Sequence, residues 1–146
     1  MKKIIGNTAM RRRNRSRFLG ARRGVAATEL AACAPVIVLI VLATIEACTM
    51  IFLQQSLSVA AYEGARVAII PNAAAVNVEL QCRQILDDRG VKGATITVTP
   101  ASIATAPEGT WLQIRASAPF DQNSLAGGWL FNDHTLAATV EMIKER

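Results

Sequence analysis

The sequence holds a single histidine, three cysteines, one tyrosine and, ahead of Glu29, no acidic residue at all. With His134 the only imidazole, no histidine pair can ligate a metal, and Ser102, Ser117 and Ser124 sit in no nucleophile motif. No glycine-rich phosphate loop and no paired-carboxylate signature stands out, and Asp121 and Asp133 lack the clustered oxygen ligands of a calcium loop. The expectation is therefore no enzyme, with no catalytic residue, no cofactor and no metal. Three cysteines build no disulfide framework. Cys33 and Cys48 lie 15 residues apart in one predicted helix, about 22 Å, too far to bond within a chain. Cys82 is left open between a buried thiol and an intermolecular bridge.

Charge is distributed unevenly. Nine of the 16 basic residues fall within residues 1–24 (Lys2, Lys3, Arg11, Arg12, Arg13, Arg15, Arg17, Arg22 and Arg23), leaving seven bases against eleven acids downstream. Such an arm suits nucleic acid in principle, but Phe18 is its only aromatic and it runs straight into a long apolar segment. No nucleic-acid partner is expected. Residues 30–53 form a stretch of 24 residues, about 36 Å as a helix, enough to cross a hydrocarbon core of about 30 Å. Basic charge flanking such a span is held on the cytoplasmic side. The expected topology is single-pass in a bacterial inner membrane, with the N-terminus cytoplasmic and the C-terminal portion exterior. Glu46 lies within the span. An ionised carboxylate there costs on the order of 3 kcal/mol, so it is expected to face protein rather than lipid.

Residues 1–24 contain no apolar core, so they do not form an ordinary secretory signal, in which cleavage follows the apolar run. Here the apolar run comes after the junction. Gly24 followed by Val25, Ala26, Ala27, Thr28 and Glu29 resembles the processing site of type IV pilin-like precursors. In these a membrane peptidase cuts after a glycine, and the fifth mature residue is glutamate. Glu29-Leu30, Pro35, Glu46, Gln55 and the run Ala61-Tyr62-Glu63-Gly64-Ala65-Arg66 together resemble the TadE-like minor pilins, or pseudopilins, of the tight-adherence (Tad/Flp) pilus. Leu30 stands where the major pilins of that system usually carry tyrosine, which argues for a minor subunit.

The resemblance implies a prepilin peptidase as partner, together with other Tad pilus subunits and the inner-membrane assembly platform, and implies a role in pilus assembly, adhesion and surface colonisation. The residues agree on physical grounds. Cleavage would free an α-amine on Val25, one helical turn from Glu29, and such a pair offsets the cost of carrying a carboxylate into a helical bundle. Pro35 removes a backbone donor and crowds the carbonyl of Ala31, which predicts a kink or loosened turn. Glu63 and Arg66 stand three apart and can pair. Gly64 and Ala60 form a small-residue pair suited to close helix contact. Glu29, Pro35, Glu46, Glu63, Gly64 and Arg66 are the expected packing and assembly residues.

Two other signals compete at the junction. Leu30-Ala31-Ala32-Cys33 fits a lipoprotein box, yet a lipobox closes an apolar run and here the run follows the cysteine. Arg22-Arg23 lacks the surrounding consensus of a twin-arginine signal. An uncleaved signal anchor, whose exterior domain binds an envelope partner, shares the topology and remains the alternative.

Downstream, Asn72 is placed to cap a second helix over residues 73–89, with Val76, Val78, Leu80, Cys82 and Ile85 as its apolar stripe and Gly90 as its terminator. Three alternating runs then predict strands at 95–99, 111–118 and 135–143, with Ile96 and Val98, then Leu112, Ile114, Ala116 and Ala118, then Leu136, Ala138, Val140 and Met142 facing inward. Trp111, Trp129 and Phe131 are read as core or loop anchors sooner than as a binding surface. The predicted fold is α+β: a leader over 1–24, a long N-terminal helix over 25–70 with its transmembrane segment at 30–53, and an exterior domain over 71–146 in which a helix packs on a small antiparallel sheet.

Overall fold

The computed structural model describes residues 15–125, 127–128, 131 and 133–144, with side chains described from residue 24 onward. The leader residues 1–14 and Trp129 lie outside the described residues. Two helices precede three strands: α1 (Arg15–Ala68), α2 (Ala75–Asp88), β1 (Thr95–Thr99), β2 (Trp111–Pro119) and β3 (Thr135–Ile143). The arrangement is α+β, with a long apolar N-terminal helix, a second helix and a three-stranded antiparallel sheet. The chain divides into two compact units, Met1–Val41 and Leu42–Arg146.

In the first unit, the described side chains belong to α1. Every one from Gly24 to Val41 is exposed except the half-buried Ala34. These include Val36, Ile37, Val38, Leu39, Ile40 and Val41 in unbroken succession. A helix that is apolar all round has no stable home in water and requires a bilayer or other apolar surroundings. Gly24–Ala68 is, by length and composition, suited to cross a membrane, and it gives the chain a single-pass anchor. Pro35 lies inside α1, and the helix continues on both sides of it.

The second unit begins at Leu42, still in α1, where the helix becomes one-sided. Glu46, Leu53, Leu57, Ala60, Gly64 and Ala68 are buried, with Ala43 and Met50 half-buried. Their three- and four-residue spacing draws one stripe along the helix. Against it pack the inward faces of the sheet and of α2, closed by Val91, Ile103 and Phe120. Gln54 Nε2 ties α1 to the sheet by donating to the carbonyl of Ala137, at 3.1 Å.

The sheet is a meander in the order β1-β2-β3, with Thr95 opposite Ser117 and Trp111 opposite Ile143. The inward positions expected from alternation are the inward positions found: Leu112, Ile114, Ala116 and Ala118 are fully buried, and the β1 and β3 partners are buried or half-buried. Gly90, at φ +69°, follows the last turn of α2 in a left-handed conformation open to glycine.

Two details of the second helix differ from expectation. Asn72 does not cap it. Asn72 takes a left-handed φ of 61° in the preceding turn, and the N-cap is Ala74, which makes no side-chain cap bond. The buried stripe is Val78, Cys82 and Leu86, whereas Val76 and Leu80 are 64% and 61% exposed. The two sets form parallel ridges at four-residue spacing, and the ridge that turns inward is the one that fits the small residues of α1. The second unit also takes in part of the predicted span: residues 42–53, expected in the bilayer on hydropathy, belong to the same compact unit as the sheet.

Candidate functional site

At the predicted junction, Gly24, Val25 and Glu29 all lie on exposed helix, with Val25 and Glu29 one turn apart. A Cβ built on Gly24 would meet nothing within 4 Å. Packing within the chain therefore does not require glycine there. Thr28 Oγ1 donates to the carbonyl of Val25 at 2.7 Å, a local bond within the helix. Glu29 stands out from the helix surface among apolar neighbours.

Gly64 presents the opposite case. A Cβ there would collide with Cys82 Sγ and would stand 3.4 Å from Val78 Cγ1 and 3.5 Å from Ile114 Cγ2. Three elements, α1, α2 and β2, converge on this position, and only a missing side chain lets them. Cys82 is fully buried and donates from Sγ to the carbonyl of Ala60, at 3.2 Å. Burial, and secondarily the charge of Glu79, push its thiol up to about 11. A protonated, enclosed thiol is neither a nucleophile nor a ready bridge partner, so the choice left open in the sequence falls to a buried thiol.

Glu46 is the other enclosed acid. It is fully buried in the second unit, and Ser124 Oγ donates to its Oε1 at 3.4 Å. Ser124 Oγ in turn accepts from the amide of Gly128 at 2.8 Å. Asn123, next to it, is held by three bonds: its Oδ1 accepts from the Lys92 amide at 2.8 Å, and its Nδ2 donates to the carbonyls of Lys92 and Pro119 at 2.9 and 2.7 Å. Nothing in the sequence marked Ser124 or Asn123 beyond their place in a turn-forming stretch. The clamp they form spans from residue 46 to residue 128, a long-range contact that local patterning does not encode.

Glu63 and Arg66 do pair, at 3.2 Å, on an exposed face. A pair so placed contributes little to stability. Trp111 is 62% exposed and lies opposite the exposed Ile143 on the outer face of the sheet, which corrects its reading as a core or loop anchor. Phe131 instead packs on the core, with its ring edge-on to Phe120 at 6.3 Å and to His134 at 6.4 Å. Among the described residues no group of three or more histidine, cysteine or acidic side chains is arranged to hold a metal ion. The surfaces available are a lipid-compatible helix and a sheet face, a set suited to anchoring and contact.

Residues 24–66 match the family model described as TadE-like protein. No curated protein and no solved structure matches the chain. The match spans the junction, the apolar helix, Glu46 and Gly64, and ends at Arg66, within the last turn of α1.

Proposed function

We propose that this TadE-like protein is a minor pilin or pseudopilin of a Tad/Flp-type pilus, cut after Gly24 by a prepilin peptidase and assembled through its N-terminal helix. The match over residues 24–66 supports a pilus-associated, structural kind of protein, and the finer role is our reading. The observation that carries it is the contrast between two glycines within the matched segment. Gly64 is demanded by packing, whereas Gly24 has open space around it and so answers to something outside the folded chain. Recognition by a peptidase supplies that reason, with Glu29 at the fifth position after the cut. The α-amine released on Val25 would pair with the Glu29 carboxylate of the same or a neighbouring subunit. The exterior unit would lie on the periplasmic side, contacting other subunits and the assembly platform and supporting adhesion and surface colonisation.

One observation favours a second reading. Helix α1 begins at Arg15 and runs through Gly24, so the uncut chain has a continuous helix that would serve as a signal anchor for a domain binding an envelope partner. Intact mass and N-terminal sequencing of the protein purified from its native membrane separate the two. A chain beginning at Val25 supports the pilin reading. One retaining residues 1–24 overturns processing, and one beginning at a lipidated Cys33 overturns both.

A further inference from the structure

The loop after β2 is held down at its start yet presents an exposed leucine. Phe120 is fully buried, the amides of Asn123 and Ser124 donate to its carbonyl at 3.0 and 2.9 Å, and Ser124 is tied to Glu46. Leu125, directly after these anchors, is 82% exposed. Across from it run Ile45, Cys48, Thr49 and Phe52 of α1, and between the two sides lies a groove of about 430 Å³ with an almost wholly apolar lining.

The polar groups at its edge are spoken for. Thr49 Oγ1 donates to the carbonyl of Ile45 at 2.9 Å, and both N–H donors and the carbonyl oxygen of the Asn123 amide are engaged by Lys92 and Pro119. A sugar, nucleotide or peptide would find no partner for its polar groups in such a groove. A hydrocarbon chain needs none.

The position in the sequence names the source of that chain. The second unit takes over from an unbroken apolar run at Leu42, and the groove is built on the last apolar turns before Gln54 and Gln55. By connectivity it lies in the outer part of the stretch long enough to cross a bilayer. We infer that the groove takes an acyl chain of a phospholipid from the leaflet next to the exterior unit, with Leu125 dipping among the chains, so that the domain rests on the membrane surface. The inference rests on the membrane-anchor reading of α1, and extends it to a lipid contact made by the folded domain itself. An exposed leucine on a tethered loop, beside exposed Ile45 and Phe52, is then a surface made for lipid.

The test uses the full chain in nanodiscs of phosphatidylethanolamine and phosphatidylglycerol. Spin labels are placed singly at Leu125→Cys, Val38→Cys and Thr139→Cys, in a background of Cys33→Ser and Cys48→Ala with buried Cys82 retained. Collision with oxygen, which concentrates in lipid, is compared with collision with a water-soluble nickel chelate. The expected result is an oxygen preference at Leu125 close to that at Val38 and several-fold above that at Thr139, on the outer face of β3. Nickel access at Leu125 equal to that at Thr139, with Val38 in lipid, overturns the groove inference and leaves the anchor standing. Nickel access at Val38 as well sinks the anchor reading itself. Shielding of Leu125 from both reagents means a protein surface, such as a second copy, covers the groove, which also overturns the inference.

Discussion

Substituting Gly64 by alanine pits two opposing effects against each other. On helix propensity alone the change stabilises, since glycine within a helix is less favourable than alanine by about 1 kcal/mol. The added Cβ, however, meets Cys82 Sγ and comes within 3.4 to 3.5 Å of Val78 and Ile114. Overpacking of a filled core costs about 1–3 kcal/mol. Sulfur cannot yield freely, because it is enclosed and bonded to the Ala60 carbonyl. The net expectation is a loss of up to about 2 kcal/mol, which for a domain of this size lowers the melting temperature by roughly 4–8 °C per kcal/mol. Gly64→Val, with two more carbons at the same point, is expected to cost more.

The cause is separable from the effect by a double-mutant cycle. Cys82→Ala removes the sulfur and leaves a space that the Gly64→Ala methyl then enters. The double variant should be at least as stable as Cys82→Ala alone, giving a coupling of about 1–3 kcal/mol. Amide exchange at Leu112, Ile114 and Ala116 of the full chain in micelles is the suitable readout, because the membrane part of α1 stays helical whether or not the core is intact. Gly64→Ala at or above parental stability, or simple additivity in the cycle, would refute the packing argument.

The raised thiol of Cys82 predicts a pH effect of definite sign. The folded group binds its proton more tightly than the unfolded one, so its contribution is complete below pH 9 and is lost as pH rises from 9 to about 11, by about 2–3 kcal/mol. Urea unfolding across that range, with Cys82→Ala as reference, checks it; parallel curves for the two proteins would dismiss the effect. Lys144 is buried, and its Nζ donates to the carbonyls of Ile103, Ala106 and Ala104 at 2.8, 2.9 and 3.4 Å. Lys144→Met orphans these acceptors and should cost about 2–3 kcal/mol, read from the denaturation midpoint; an unchanged midpoint would mean that water replaces the ammonium at no cost. Glu46→Ala takes away the acceptor of Ser124 and should speed amide exchange at residues 123–125 by tenfold or more while β2 stays protected, a cost of about 1–3 kcal/mol. Equal exchange in the two proteins would show that Ser124 does not depend on Glu46.

Period-two alternation was enough to read the sheet, because each strand buries one face and exposes the other, so that side-chain direction is written residue by residue. The helices were less transparent. In α1 the stripe at Glu46, Leu53, Leu57, Ala60 and Gly64 has helical spacing, but the preceding turns are apolar on every side, and a hydropathy window merges the two regimes into one span. The handover at Leu42 appears only when the sheet is present to cover one side. In α2, Val76 and Leu80 are as apolar as Val78, Cys82 and Leu86, and the choice between ridges depends on Gly64 and Ala60, more than a dozen residues away. The groove beside Leu125 was illegible for the same reason: a leucine in a polar loop has no local signature of what it faces.

Burial now sorts the two acids of the long helix into different tasks. Glu46 is enclosed by its own chain, with a hydroxyl directed at it, so the bilayer-length helix can carry it without a second subunit. Glu29 is exposed on a stretch of helix where the chain itself provides no cover. In hydrocarbon an ionised carboxylate in that position is costly by several kcal/mol, and under the proposed processing the Val25 amine or a neighbouring subunit would supply the relief. The two substitutions should therefore fail differently. Glu29→Ala is expected to leave amide exchange of the second unit unchanged while co-assembly with other pilus subunits falls. Glu46→Ala is expected to loosen the loop at residues 123–125 in the isolated protein. If Glu29→Ala co-assembles as the parent does, the pairing account fails, because removing the carboxylate removes the one charge within residues 24–53 that its own fold does not enclose.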